Sequence, residues 1–532
     1  MVALHEWVRC QAERAPNRPA IVAGSRVVTF GELEAGSNQV AHALRAVGVR
    51  QRDRVAMLLP KGERAYAAML GIQKAGAAYV PLDPENPAPR LAAMLRSAEP
   101  RVLLLSGIGA KQCADAWPQL NGCRPSLVWA DDDETPCERP TTPVFAWDDL
   151  EAFPATVPRV NVTDDFPVYL MYTSGSTGTP KGVVITHANV RPFIEWCVRC
   201  FGITQGDRLS AHAPLHFDLS TLDFYATLAA GATLYPIPPT LNLFPERLAA
   251  FIRGRRLTQW FSAPSALNYV ASFDVVRPGD FPELRRVLWC GEVLPTSALQ
   301  YWMTRVPHAQ FTNLYGPTET TVASSYYTVT TCPEDDAWQI PIGSPCAGER
   351  LVVLDEAGRP AEPETVGELH IGGVGLSPGY WRDEAKTRAT FTRDPTKPNE
   401  RLYRTGDLAK VGADGLVYFL GRRDTQIKSR GHRIELGEIE AALHADPWVH
   451  ECAVVGVSAG GFDGQRICCA YSLAPGCDAS TTDLRRRLAD RLPKYMIPAE
   501  WRRFEQLPKN ANGKTDRRAV REVFSTHAVV SA

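Results

Sequence analysis

The chain has almost no net charge. Its 58 lysines and arginines stand against 59 aspartates and glutamates, a formal balance of −1 over 532 residues. Bulk electrostatic recruitment to nucleic acid or to an anionic membrane is thereby excluded. No apolar run reaches the ~18 residues needed to cross a bilayer. The opening Met1-Val-Ala-Leu-His-Glu-Trp7 has no basic stretch ahead of an apolar core, so neither a membrane span nor a signal peptide is expected. The 13 cysteines are scattered, odd in number and far below disulfide-scaffold density, which favours a reducing, cytoplasmic setting. Cys197 and Cys200 form a single C-x-x-C with no second pair or histidine partner nearby, so no redox or metal role is expected of them. Internal repeats and low-complexity tracts are absent too. What remains is ordinary globular composition, 45% hydrophobic and 22% charged, long enough for about three or four structural units.

Strands and helices alternate through the first third. Thr29 and Glu32 have capping-box spacing, and helical periodicity follows until Gly48. A buried strand is expected over 53–60, a helix over 63–74, strands over 77–82 and 102–106, and irregular connections over 107–165. Further short strands fall at 207–211, 232–235, 257–261 and 286–290, with a helix beginning near Asp218. From Gly343 the pattern changes to short β segments with glycine-rich turns (351–354, 367–371, 416–420), expected to form a β-subdomain or barrel. A compact α/β unit follows: a helix after Glu435, strands over 451–457 and 467–472, and a helix over 482–492. The junction falls near Gly421-Arg-Arg-Asp424, where charge interrupts the apolar pattern.

One polar loop stands out: Tyr172-Thr-Ser-Gly-Ser-Thr-Gly-Thr-Pro-Lys-Gly-Val183. Apolar runs flank it, so it reads as a strand-to-strand turn rather than as a flexible linker. Gly175 and Gly178 allow close backbone approach to phosphate, the Ser174, Ser176 and Thr177 hydroxyls donate, and Lys181 adds a point charge. It is not a Walker A loop, since Thr179 and Pro180 separate Gly178 from the lysine. In Tyr315-Gly-Pro-Thr-Glu319, Glu319 is a hard oxygen ligand suited to Mg²⁺, Tyr315 offers a ring to a base, and Asn313 can pair with an amino edge; an ordinary turn is the alternative. Tyr403-Arg-Thr-Gly-Asp407 puts a carboxylate after a glycine turn, suited to a ribose diol. Residues 421–438 are dense in basic residues and glycine, equally readable as a solvated charged loop. Asn512-Gly-Lys514 presents one lysine on a tight turn.

In this order and spacing, the five motifs resemble the adenylate-forming superfamily, in particular the amino-acid adenylation domains of nonribosomal peptide synthesis, from Thr29 to Lys514. The resemblance implies an α/β fold: a large N-terminal domain (1–422) of two α/β layers plus a β-barrel-like subdomain, and a small mobile α+β C-terminal domain (423–532). It implies ATP and Mg²⁺, and attack of a substrate carboxylate on the α-phosphate to give an acyl-adenylate. The phosphate loop corresponds to Thr173, Ser174, Gly175, Ser176, Thr177, Gly178 and Lys181. Thr318 would contact the α-phosphate, Glu319 would hold the metal, Asp407 and Arg422 the ribose, and Gly291, Glu292, Asn313 and Tyr315 the adenine. Lys514 would bridge substrate carboxylate and nucleotide. Asp424 falls on the hinge about which the C-terminal domain rotates, withdrawing Lys514 and bringing in the Gly431 region for thioester formation.

His216-Phe-Asp-Leu-Ser-Thr-Leu222 matches the family's specificity helix. Asp218 sits where amino-acid-activating members pair an aspartate with the α-ammonium; it also fits an N-cap, and both roles can hold. Leu219, Leu222, Phe261, Leu288, Cys290, Leu314, Val322 and Ala323, with Phe217 and Gly316, complete an apolar pocket suited to a small neutral amino or imino acid. With Asp218 and Lys514 the succession is similar to the signature of free-standing prolyl-carrier-protein ligases, which favours L-proline over another small aliphatic or β-amino acid. No carrier attachment motif follows Lys514, so the expected acceptor is the phosphopantetheine thiol of a separate peptidyl carrier protein. An acyl- or aryl-CoA ligase, and a non-catalytic nucleotide-binding relative, are the competing readings.

Overall fold

The computed structural model describes residues 3–131, 141–175, 179–458, 465–509 and 515–525. Two large sheets dominate. One has nine strands and runs, in spatial order, Ser344–Pro345, Ser325–Val329, Gln310–Tyr315, Arg286–Cys290, Gln259–Ser262, Arg208–Ala211, Thr233–Pro236, Pro19–Ala23 and Arg26–Thr29. The other has eight and carries at its centre Lys181–Thr186, Pro167–Thr173, Ala78–Pro81, Arg54–Leu58 and Val102–Leu105.

The period-2 alternation of the strands sorts side chains into three apolar layers. Val287, Trp289, Trp260 and Phe311 point outward to helices Pro245–Arg255, Pro264–Ser272 and Thr296–Arg305. Leu288, Cys290, Phe261 and Leu314 point inward, where they share a core with Val55, Met57, Val102 and Leu104 of the second sheet. Ala56, Leu58, Leu103 and Leu105 face the opposite side, under helices Ala88–Ala98 and Gly107–Ala116. Helices Phe30–Ala46, Glu63–Lys74, His187–Cys200 and Leu219–Ala230 fill the space between the sheets. Two of them approach so closely that a Cβ on Gly71 would lie 2.5 Å from the Val40 Cβ.

The capping box is present: the Glu32 N–H donates to Thr29 Oγ1 (3.2 Å) and the Thr29 N–H to Glu32 Oε2 (2.8 Å). The helix over 63–74 has the expected bounds. The stretch 107–165, expected to be irregular, instead holds helix Gly107–Ala116 and strand Ser126–Trp129, because Ala110, Cys113 and Ala116 pack on the sheet despite weak helical periodicity.

Past Gly343 a five-stranded sheet of Glu349–Leu354, Gly367–Gly373, Arg401–Val411, Phe391–Arg393 and Val417–Arg422 closes around a small core of its own. The last unit begins with hairpin Gln426–Ser429/His432–Glu435 and continues into a three-stranded sheet, Val449–Ser458, Gln465–Leu473 and Glu500–Arg503. Helices Leu436–His444 and Thr481–Ala489 cover one face of that sheet and Arg517–Ser525 the other. The chain is therefore a mixed α/β protein with a large N-terminal and a smaller C-terminal domain. No helix among the described residues is long and apolar enough to cross a membrane.

Candidate active site

In the nine-stranded sheet the parallel strands run Gln310–Tyr315, Arg286–Cys290, Gln259–Ser262, Arg208–Ala211, Thr233–Pro236, so the winding reverses direction beside Arg208–Ala211. Open α/β sheets bind ligands beyond the carboxyl ends of their strands at such a reversal. A cleft opens there. The chain leaving Arg208–Ala211 leads to Asp218, that leaving Arg286–Cys290 to Gly291, and that leaving Gln310–Tyr315 to Gly316 and Thr318; all four line the cleft. A Cβ on Gly316 would lie 2.6 Å from Ala323 Cα, so this backbone approach admits only glycine.

The polar loop rises from the second sheet. Strands Pro167–Thr173 and Lys181–Thr186 pair antiparallel up to Thr173 and Lys181, which fixes both ends. Ser176, Thr177 and Gly178 lie outside the described residues. Thr173 and Ser174 line the cleft, and Lys181 stands deeper, with its Nζ 3.2 Å from Glu319 Oε1.

Glu319 is fully buried in the turn Thr318–Thr320. The next two residues, Thr321 and Val322, both have positive φ (61° and 65°), uncommon for β-branched side chains. The Thr321 hydroxyl donates to the Gly375 carbonyl (2.7 Å) and the Ser377 N–H to that of Glu319 (2.9 Å), which holds the turn. Burial works to push the Glu319 carboxyl up, but Arg433, Lys181 and the Tyr380 hydroxyl more than offset it and hold it far below the usual carboxylate range. The site is built around a carboxylate that stays charged and demands a cation.

In the structure that cation is a guanidinium. Arg433 Nη1 donates to both Glu319 oxygens, at 2.8 and 3.1 Å. It arrives on the C-terminal hairpin, whose tip, Arg430-Gly431, has φ of 52° and 81°, the two positive values of a tight two-residue turn. Ser174 Oγ donates to the Arg433 carbonyl (2.7 Å), and the Gly431 N–H to Glu292 Oε1 (2.6 Å). The other Glu292 oxygen accepts from the Ser265 N–H (3.1 Å), so this residue braces the hairpin tip. Behind the hairpin, Arg90 and Glu438 form a buried ion pair across the two units.

Asp407, Arg422 and Asp424 are linked. Arg422 donates to Asp407, and its Nε and Nη2 reach Asp424 Oδ1 and Oδ2 at 2.7 and 2.6 Å. Asp407 also accepts from the Tyr315 hydroxyl. Asp407, expected to follow a glycine turn, lies instead inside strand Arg401–Val411, whose Gly406 has φ 75° and whose pairing is interrupted by a bulge on either side. A bulge aims a side chain as a turn would, within a continuous strand. Asn313 Nδ2 donates to the Pro341 carbonyl (2.9 Å), so its Oδ1 is left to accept from an amino edge.

Asp218 opens helix Leu219–Ala230, but its side chain makes no capping hydrogen bond, so the N-cap role is not realised. Burial pushes its carboxyl up to about 6, with the Thr318 hydroxyl and Lys428 pulling down and Glu319 pushing up. Of the expected pocket residues, Phe217, Asp218, Leu219 and Gly316 line the cleft. Leu222, Phe261, Leu288, Cys290, Leu314, Val322 and Ala323 are buried in the inner core beneath it, and Cys290 Sγ lies 3.6 Å from the Val322 carbonyl. They set the depth of the floor below Asp218 rather than forming an open wall.

Lys514 lies outside the described residues; its flanking neighbours Lys509 and Thr515 bridge each other, and Lys509 pairs with Glu451 at 2.6 Å on the C-terminal sheet. Arg433, Lys428 (Nζ 5.5 Å from the Tyr315 ring centroid) and Tyr380 were not singled out in the sequence. The first two belong to the basic run over 421–438, whose alternation Gln426, Lys428 / Arg433, Glu435 about a glycine tip was the available signal; Tyr380 carried none.

Among the buried polar atoms of cleft-lining residues that have no partner among the described residues are Thr173 Oγ1 and Arg433 Nε. Donors of this kind suit the oxygens of a phosphate, and the charged Glu319 suits a divalent cation once the guanidinium withdraws.

A model of the AMP-binding enzyme family matches residues 8–381, and one of the AMP-binding enzyme C-terminal domain matches residues 438–514. An L-proline–[L-prolyl-carrier protein] ligase of Streptomyces coelicolor is 37% identical over 508 residues, 94% of this chain and 93% of that protein. The phosphinothricin tripeptide synthetase PhsC of Streptomyces viridochromogenes is 38% identical over 97% of this chain, which spans only 45% of it. Among solved structures, the Vibrio cholerae adenylation domain AlmE with glycyl-adenosine-5′-phosphate superposes with a TM-score of 0.82 at 25% identity, covering 98% of this chain and 97% of that one. A holo nonribosomal-peptide-synthetase protein containing adenylation and PCP domains, PA1221, does so with 0.79 at 28% identity, covering 97% and 84%.

Proposed function

The chain belongs to the AMP-binding enzyme family and is an AMP-forming ligase; from that premise we propose that it activates a small neutral amino acid, L-proline, as its adenylate and passes it to the phosphopantetheine thiol of a separate carrier protein. The observation that carries the reading is Asp218: a buried carboxylate in the cleft, attended by the Thr318 hydroxyl but with no ion pair among the described residues, over an apolar core. A buried carboxylate without an ion-pair partner is costly, and a primary α-ammonium or the secondary ammonium of proline supplies the missing charge. The likeness to the Streptomyces coelicolor ligase supports proline and a carrier protein.

In the first half-reaction the substrate carboxylate attacks the α-phosphorus of ATP and pyrophosphate leaves. Thr173, Ser174 and the rest of the loop hold phosphate oxygens, Thr318 contacts the α-phosphate, Asp407 with Arg422 holds the ribose, and Asn313 accepts from the adenine amino group. Lys514 neutralises the charge developing between carboxylate and phosphate. Mg²⁺, held by Glu319, would neutralise charge on the departing pyrophosphate. In the second, rotation about Asp424, with the boundary between residues 422 and 423, exchanges Lys514 for the hairpin bearing Gly431 and Arg433. The docked hairpin supports assigning the structure to this thioester-forming arrangement. Cytoplasmic location fits a partner that is another soluble biosynthetic protein.

The test is amino-acid-dependent ATP–pyrophosphate exchange over a panel of L-proline, D-proline, alanine, valine and β-amino acids. A dominant L-proline signal is expected. A dominant signal from another amino acid overturns the substrate, and silence across the panel overturns the activation chemistry.

A further inference from the structure

With the hairpin docked, one wall of the cleft carries two imidazoles. His216 comes from the segment ahead of helix Leu219–Ala230 and His432 from the hairpin. His216 Nε2 lies 3.7 Å from Asp83 Oδ2, and its ring packs on Phe217 with centroids 5.0 Å apart. Asp83 is held in turn: its Oδ1 accepts from the Glu85 N–H at 2.9 Å. His432 stacks on Tyr495 at 3.5 Å and meets Phe217 edge-on at 4.9 Å. The two rings therefore share one aromatic neighbour and line, with Asp218 and Thr318, a cleft that neither unit forms alone.

Their electrostatics differ. Burial pulls the His216 imidazole below its ordinary value, Asp83 and Glu85 resist, and Lys61 adds to the lowering. Burial, with His216 and Arg430, pushes His432 down to about 3. Both are neutral at pH 7, but only His216 has a carboxylate placed to steady an imidazolium. Nε2 faces Asp83 Oδ2 at ion-pair range rather than hydrogen-bond length, a contact that steadies an imidazolium, and a neutral ring carrying its N–H on that side presents the Nδ1 lone pair.

We propose that His216, oriented by Asp83, is the general base that takes the proton of the attacking thiol in the second half-reaction. The proposal rests on the thiol-transfer reading above. The sulfur bonds to the aminoacyl carbonyl carbon as its proton passes to His216, and the bond from that carbon to the phosphate oxygen breaks. AMP leaves with the electron pair and needs no proton, the imidazolium returns its proton to solvent, and nothing is oxidised or reduced. Pantetheine, an ordinary alkyl thiol, is less acidic than a cysteine thiol (about 8.5), so less than about 3% of it is ionised at pH 7; a base has at least some thirtyfold to contribute there, and progressively less as pH rises.

The experiment follows single-turnover thioester formation by rapid quench on enzyme loaded with its aminoacyl-AMP, with pantetheine as the thiol, from pH 6.5 to 9. Wild type, His216→Asn and Asp83→Asn are compared, each rate divided by the same sample's pyrophosphate-exchange rate to remove folding and adenylation defects. For His216→Asn the ratio should fall at least about thirtyfold at pH 7 and recover steadily toward wild type as pH rises to 9. Asp83→Asn should give a smaller deficit with the same trend. A His216→Asn ratio equal to wild type, or a deficit constant with pH, overturns the base. Wild type that exchanges but forms no pantetheine thioester overturns the transfer reading and the base with it; wild type silent in exchange overturns the proposed function itself.

Discussion

Replacing Arg433 by alanine should separate the two half-reactions. The guanidinium lies 2.8 Å from a fully buried Glu319 carboxylate. Removing one partner of a buried ion pair typically costs about 3–5 kcal/mol, because a charge is left without compensation. Here Lys181, at 3.2 Å, and the Tyr380 hydroxyl, at 2.8 Å, stay on Glu319. Roughly half the cost is then expected, about 2 kcal/mol, or a factor of about 30. Glu319 belongs to the large unit and Arg433 to the small one, so the loss falls on the docked arrangement and not on either core. Thioester formation should drop about 30-fold while pyrophosphate exchange, which uses the undocked hairpin, changes less than about threefold. Arg433→Lys, keeping the charge but not the planar fork, should fall between. Single-turnover quench assays for the thioester and isotope exchange for the adenylate read the two numbers separately. An equal fall in both, or an unimpaired thioester step, would refute the reasoning.

Asp218 must be ionised to hold an ammonium, and burial pushes its carboxyl up to about 6; the amino-acid KM should therefore climb about tenfold per unit below that pH while the ATP KM stays flat. Its folded-state pKa exceeds its unfolded one, so the stability tied to the neutral form is complete below about pH 4 and lost as pH rises through about 6. Asp218→Asn should accordingly raise the unfolding free energy at pH 7 by ~3 kcal/mol in urea titrations while abolishing amino-acid binding. Lys514→Ala should remove most exchange yet spare thioester formation from supplied aminoacyl-adenylate; equal loss in both would be inconsistent with its assigned role. Asp207 is buried and gathers Arg285 (2.6 Å), Arg286 and Thr258 (2.6 Å) at the foot of the nine-stranded sheet. Asp207→Ala should cost ~3–5 kcal/mol by stranding the buried Arg286, seen as a fall in the urea midpoint.

What could be read from sequence follows the range of the forces involved. The capping box at Thr29, the helix over 63–74 and the paired strands around the polar loop are set by neighbours within a few residues, and their periodicity is visible. The Asp407 segment kept its chemistry but changed its geometry, because a turn and a bulged strand need the same glycine at positive φ. Helix Gly107–Ala116 was hidden because small residues pack it onto the sheet without a strong apolar stripe. Arg433 was legible only as part of a basic run. That it reaches Glu319, 114 positions earlier, depends on how the two units dock, which no local pattern encodes. The apolar positions expected to line the pocket are buried in the inner core, and their inward packing follows from strand pleat and the facing sheet.

The central claim is that Asp218 reads an amino group above an apolar floor. It is tested most directly by calorimetric binding of two hydrolysis-resistant adenylate analogues, one bearing a prolyl group and one a cyclopentanecarbonyl group, differing only in the ring nitrogen. Removing the nitrogen should weaken binding to the wild-type protein by about 10²–10³-fold, the cost of leaving a buried carboxylate unpaired, and should weaken binding to Asp218→Ala hardly at all. Equal affinity of the wild type for both analogues would contradict the account.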